Sequence, residues 1–568
     1  PLKRTLLKGF QSFGAHLPGV AVPMVKEKMR GETANVILPA ERELLAEHLE
    51  NRRREGMRMN VNYLGEALLG EEQARERLKA YLEVIQFPEI EVLSVKISTI
   101  YSQISSLARE QTVRVLCDRL ERLFRDAAKS RFVHADGRET PKFIYLDMEE
   151  YRDTVITADA FMQTLDRKGL QQVEAGIALQ AYLPDAILTQ RAINAWARKR
   201  VAAGGAPVTI RLVKGANMEM ERVEASLRGW PQAPFKNKLE TDANFKRMLH
   251  EGLRPENILA VRLGIASHNL FDLAYSLVLA EQGGVLDRVQ FEMLEGMANH
   301  QRRALFETNR NMLLYAPATY RKDFIFAIGY LVRRLDENTG PENFLRHTFK
   351  LQVDSDEWKQ LEAGFLNSYE LMEALPEDPR RTQDRRKPAR NPPAGAPFAN
   401  EPDTDFSLPH NVQWAEEIIR LWIDRHGERA RDIPLVVGGQ VIFEKRKVQE
   451  CLDPSRPGVV IGRSRQANEY DVEVAVRCAR EDPSRWRAMT PAQRLDLELA
   501  AMAHLPNQDI SGVAITRARA RLERPSPVSF VMPGEKRVVI GRFADVPSFG
   551  SGLTEIEYPL SGLRQALK

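Results

Sequence analysis

Phe143-Ile-Tyr-Leu-Asp-Met148 is a short apolar run that ends on a carboxylate. Alone it is one buried strand, and the fold is decided by its recurrence. Seven further runs share its character: Met59–Leu64, Val92–Ser98, Ile177–Tyr182, Val208–Lys214, Leu259–Ser267, Val289–Leu294 and Met312–Ala316. Each is separated from the next by enough amphipathic chain for a helix or more. Strands alternating with helices imply parallel βαβ units, and eight of them predict an α/β protein built on a closed (β/α)8 barrel. An open doubly wound sheet is the structural alternative. The lack of a G-x-G-x-x-G turn after any of these strands weighs against it.

Working outward, residues 1–54 read as a polar, N-terminal helical arm, with Leu44, Leu45 and Leu49 at helical spacing. The barrel is expected over 55–370 and a linker with a following helix over 371–432. Pro376 to Pro402 holds seven prolines and the basic string Arg380–Lys387, the composition of an extended, solvated linker. The helix carries Val412, Trp414, Ile418, Ile419 and Trp422, and a smaller α/β-like region occupies 433–568.

With 568 residues, of which 82 are basic and 78 acidic, the formal net charge is +4. That small surplus is no footprint of a nucleic-acid binder. The three cysteines, Cys117, Cys451 and Cys478, share no C-x-x-C spacing and point to a reducing, cytoplasmic compartment. No run approaches 18 apolar residues, and Pro1-Leu-Lys-Arg4 does not open a signal peptide.

Functional groups of a barrel gather where the strands end at the C-terminal face. Lys96 closes the second run, Asp147 the third and Gln180 the fourth; Arg211 and Lys214 belong to the fifth. Ser267-His-Asn269 follow the sixth, Glu292 and Glu295 come from the seventh, and Tyr315 from the eighth. Charged side chains inside apolar strands are costly to bury unpaired, so polar groups ending successive strands predict one ringed pocket. Singly, Lys96 and Asp147 read equally well as a structural ion pair, His268 as a core histidine and Arg333-Arg334 as helix surface. No metal site is expected, because Glu149 and Glu150 lack histidine partners at ligand spacing.

Arg211-Leu-Val-Lys-Gly-Ala216, Ser267-His-Asn269, Phe291-Glu-Met-Leu-Glu-Gly-Met297, Leu314-Tyr-Ala-Pro317 and Leu331-Val-Arg-Arg-Leu-Asp-Glu337 together resemble the proline dehydrogenase family. The likeness is to the barrel portion of the bifunctional proline utilization A proteins and runs from about residue 55 to 350. The resemblance implies an FAD-dependent oxidoreductase that converts L-proline to pyrroline-5-carboxylate and passes electrons to a membrane quinone by peripheral contact. It implies a substrate carboxylate clamp at Arg333 and Arg334, a Lys96–Asp147 pair beside the proline ring, and Tyr315 in the pocket wall. FAD would be held by Gln180, Arg211, Lys214, Gly215, Ser267, His268, Asn269, Glu292 and Glu337, with Glu292 standing where relatives carry Gln. From the residues alone, a Schiff-base barrel lyase or aldolase using Lys96 and a non-enzymic ligand-binding barrel both stay open. Homo-oligomerisation is compatible with the chain.

Pro434-Leu-Val-Val-Gly-Gly439, Asp453-Pro-Ser-Arg-Pro457 and Asp471-Val-Glu-Val-Ala-Val476 resemble the opening of an aldehyde dehydrogenase. The resemblance implies a partial module whose complete form would use NAD to oxidise glutamate semialdehyde. Neither Cys451 nor Cys478 stands in the Gly-rich turn that a nucleophilic thiol needs. A chain of this literal sequence is therefore expected to release pyrroline-5-carboxylate and to make no NADH.

Overall fold

The structure, a computed structural model, describes residues 18–65, 70–340, 343–347, 351–387, 401–483, 485–491, 493–494, 537–539 and 557–559. They form two compact units, one of residues 1–382 with 405–408 and one of 383–404 with 409–568.

The first unit is a closed parallel barrel. Its strands are β1 (Arg58–Tyr63), β2 (Val92–Lys96), β3 (Phe143–Asp147), β4 (Gly176–Gln180), β5 (Val208–Val213), β6 (Val261–Ala266), β7 (Val289–Leu294) and β8 (Met312–Thr319). All eight expected runs are strands. Each pairs in parallel with the next, and β8 returns to β1 through the register Leu313↔Arg58 to Ala318↔Tyr63, which closes the ring. Strands that face side chains on one side and helices on the other have no solvent face, so β4 is buried at every position. The outer helices are α1 (Glu71–Val84), α2 (Arg109–Lys129), α3 (Thr154–Leu165), α4 (Ala186–Ala202), α5 (Lys238–Leu253), α6 (Leu270–Gln282), α7 (Asn299–Thr308) and α8 (Phe324–Thr339). In α2 the buried Val113, Leu116, Cys117, Leu120, Leu123, Phe124 and Ala127 recur every three or four residues, the stripe that packs a helix onto a sheet.

The arm belongs to this unit. Leu38–Pro39 adds a short parallel strand against Ala318–Thr319 of β8, and the helix Arg42–Arg54 buries Leu45 and Leu49. From that helix Arg52 Nε reaches Glu295 Oε1 at 3.1 Å. Glu295, expected in the ring of pocket groups, therefore turns to the arm. It is 1% exposed and paired there.

The basic string also departs from expectation. Arg381 is fully buried, with Nη2 3.3 Å from Glu221 Oε2 and its guanidinium 4.8 Å from the Trp230 ring centre. Two aromatic faces (Trp230 and Tyr151) and buried carboxylates supply what water would. The part of the string up to Thr382 is thus packed barrel rather than solvated linker, and residues 388–400 lie outside the described ones.

In the second unit the helix Pro409–Trp422 forms as its apolar spacing predicts. Strands Arg431–Ile433, Val460–Arg465 and Val448–Leu452 make a small mixed sheet, and Leu435–Val437 with Gln440–Ile442 a hairpin. Cys451 lies in a strand and Cys478 in the helix Glu469–Glu481, which opens with an Asn468–Asp471 capping box.

Candidate active site

A cavity of about 280 Å³ opens at the C-terminal ends of the barrel strands. Lys96, Asp147, Gln180, Arg211, Lys214, Gly215, Ser267, His268, Asn269, Glu292, Tyr315, Arg333 and Arg334 all line it. Glu337 lies on α8, and its side chain is outside the described residues.

The floor is a buried ionic network. Arg211 donates from Nε to Glu292 Oε2 at 2.5 Å and from Nη1 to Asp147 Oδ1 at 2.9 Å. Its guanidinium lies 3.9 Å from the centre of the Tyr145 ring. Asp147 also accepts from Ser94 Oγ at 3.0 Å and from the Tyr315 hydroxyl at 2.7 Å. Burial, reinforced by the Asp147 charge, pushes the Tyr315 phenol well above its ordinary range, so it donates at any working pH.

Lys96 and Asp147 are register partners on β2 and β3, yet the expected pair does not form. Lys96 Nζ sits 3.0 Å from Glu149 Oε1 instead. Arg211 takes Asp147 because a guanidinium can serve two carboxylates at once from a fixed fork. From the sequence Glu149 offers itself only as a carboxylate metal ligand, and the structure makes it the partner of Lys96.

On the opposite wall Lys214 Nζ meets Asp242 Oδ1 at 2.5 Å and Asp272 Oδ2 at 2.6 Å. Burial disfavours its charge, but Asp242 and Asp272 outweigh that and carry the Lys214 ammonium above its usual range. Burial likewise opposes ionisation of Asp242, and Lys214 with Lys238 overcomes it, bringing that carboxyl down to about 2. Lys238 lines the cavity and pairs with Asp242; strand-end reasoning missed it, since it begins α5. The i, i+4 spacing of Lys238 and Asp242 behind an Asn237–Glu240 capping box was the available signal.

His268 accepts the Leu294 N–H on Nε2 at 3.2 Å, which assigns its proton to Nδ1. Burial, aided by the Arg334 charge, lowers its pKa to about 4, so the ring is neutral. Gly215 has φ +130°, and a Cβ there would lie 2.5 Å from the Tyr182 ring. Glycine is required at this strand end by its neighbour as well as by its backbone.

Comparison with known proteins bears on the barrel that carries this cavity. The model of the family described as proline dehydrogenase matches residues 45–347. "Proline dehydrogenase 2" of Bacillus subtilis (strain 168) is 26% identical over 284 residues, covering 50% of this chain and 78% of that protein. A structure of "Proline Utilization A (PutA)" from Corynebacterium freiburgense shares 35% identity at a TM-score of 0.58, over 72% of this chain. The match takes in only 38% of that longer chain. A "1-pyrroline-5-carboxylate dehydrogenase" of Staphylococcus aureus (strain MW2) is 33% identical over 106 residues, 19% of this chain and 20% of that protein, and the likeness belongs to the C-terminal part. Four strand-end motifs and a fifth on α8 in order, a closed eight-strand barrel and a family model matched over more than half the chain have one reading: the chain belongs to the proline dehydrogenase family.

Proposed function

We propose that the chain oxidises L-proline to pyrroline-5-carboxylate with FAD bound in the barrel mouth, and that the electrons pass on to a quinone at the inner face of the cytoplasmic membrane. The observation that carries this reading is the meeting of an adjacent cation pair, Arg333 and Arg334, with the Arg211–Asp147–Tyr315 network in one cavity. Arg333 and Arg334 orient the substrate by its carboxylate, for which a planar two-armed cation is suited. Tyr315 shapes the wall beside the ring, and the Lys96–Glu149 pair bounds the other side.

The residues present fit FAD. Arg211 Nη2 and His268 Nδ1 are buried without a hydrogen-bond partner among the described residues, and both side chains line the cavity. Two orphaned donors are costly unless a ligand satisfies them. Gln180, Gly215, Ser267, Asn269 and Glu337 would complete the cradle, with Glu292 acting behind Arg211. Lys214 and Lys238 would face the diphosphate. When bound, FAD supplies the acceptor of two electrons. The protein's part is to fix proline against it and keep water out.

Among the described residues no helix is long and apolar enough to cross a membrane, which is compatible with peripheral contact. A longer parent protein would add NAD-dependent oxidation of glutamate semialdehyde, as the C-terminal likeness supports. The test is direct. Purified protein should be yellow, L-proline should bleach it without oxygen, and o-aminobenzaldehyde should trap the product. A colourless protein that FAD cannot reconstitute overturns the proposal.

A further inference from the structure

In the cavity floor Glu292 is 2% exposed and, among the described residues, accepts three hydrogen bonds. Oε1 accepts from the Tyr145 hydroxyl at 2.9 Å and from Gln290 Nε2 at 2.8 Å, while Oε2 accepts from Arg211 Nε at 2.5 Å. Gln290 is itself held by Arg58 Nη1, which donates to its Oε1 at 2.7 Å and so fixes the amide with its N–H groups toward Glu292. Burial, and then the Glu292 charge, pushes the Tyr145 phenol well above its ordinary range, so Tyr145 remains a donor. Gly264 completes the seat, because a Cβ there would lie 2.2 Å from Glu292 Oε1. Every neighbour thus offers hydrogen to Glu292 or makes room for it.

The consequence is a charge balance. Arg211 is flanked by two carboxylates, Glu292 and Asp147, so the buried trio carries one net negative charge. A guanidinium at a cavity wall would ordinarily favour a ligand that gains negative charge. Here that preference is cancelled from behind.

We propose that Glu292 is a positioning residue that acts through Arg211, neutralising it and holding the reduction potential of the bound flavin low. This rests on flavin occupying the cavity. Reduction adds two electrons and leaves the ring neutral or anionic according to its protons, so the form with more negative charge is the one the trio disfavours. An amide at this position keeps the shape and removes the charge. It also loses a hydrogen bond, since its N–H group would face the fixed N–H of Gln290.

The experiment is the midpoint potential of the bound flavin in wild type, Glu292→Gln and Gly264→Ala. The second variant keeps the charge and displaces the carboxylate from Arg211, so it serves if the first does not fold. Both should shift the potential upward, Glu292→Gln by at least tenfold in the ratio of reduced to oxidised flavin at fixed poise, about 30 mV for a two-electron couple. A merely structural role would lower unfolding stability and leave the potential in place. An unchanged or lower potential in the variants that fold overturns this inference and leaves the proposed oxidation standing. A wild-type protein that binds no flavin overturns both.

Discussion

Tyr315 donates its phenolic hydrogen to Asp147 Oδ2 at 2.7 Å, joining β8 to β3 across the mouth of the barrel. The bond is charge-assisted and buried, so removing it by Tyr315→Phe leaves the carboxylate one donor short. A loss of about 1.5–3 kcal/mol is expected, seen as a fall in kcat/KM for proline of roughly 10- to 100-fold with the flavin still bound. Unchanged kcat/KM would place Tyr315 outside the working site.

Arg333 and Arg334 are expected to act on the substrate and not on cofactor retention. Substituting either with Met removes its charge at near-constant length. Weaker proline binding by about 2–5 kcal/mol is expected, read as a raised KM with the flavin content of the protein unchanged. If KM stays put in both variants, the pair is not the carboxylate clamp.

A pH signature is expected away from the cavity. Burial, with Glu150 adding to it and Arg152 opposing, pushes the Asp153 carboxyl up to about 7 from 3.8. An acid whose pKa is higher folded than unfolded binds its proton more tightly in the native state. Its contribution is full below about pH 4 and is lost as pH rises through 7. Asp153→Asn should therefore gain on wild type by about 3 kcal/mol between pH 5 and pH 9, measured by urea unfolding at both. A gain that does not grow with pH would refute the buried neutral acid.

Arg381 should matter to stability far more than its place in a basic, proline-rich string implies. Arg381→Met leaves the buried Glu221 without its cation, a change that costs about 3–5 kcal/mol. Thermal unfolding of the barrel unit is the measurement. A melting temperature equal to wild type would return the segment to solvent.

The barrel was legible because each strand is buried on both faces and so reads as a short, uninterrupted apolar run. The polar residues closing those runs could be placed at one mouth for the same reason, since a parallel barrel brings all strand ends together. Partner choice was not legible. Lys96 and Asp147 are register neighbours, but the competition from Arg211 on β5 depends on reach across the barrel interior, which no local pattern encodes. Glu295 sits one residue past β7, where the chain turns from the mouth toward the arm. Arg381 was misread because composition reports what a segment can dissolve in and not what is built around it. Its cover comes from Tyr151, Glu221 and Trp230, more than 100 residues earlier in the chain.

The contact between Arg52 and Glu295 spans 243 residues of sequence, and the backbone of Arg321 donates to Glu41 from 280 residues away. On a ribosome the arm is made before the barrel strands it will hold. Part of its native docking face, the β8 edge that pairs with Leu38–Pro39, is missing until β8 has emerged. Synthesis at about 5–20 residues per second leaves the arm waiting for tens of seconds. The arm therefore completes its contacts with the barrel only after β8 has emerged, although it is made before every barrel strand.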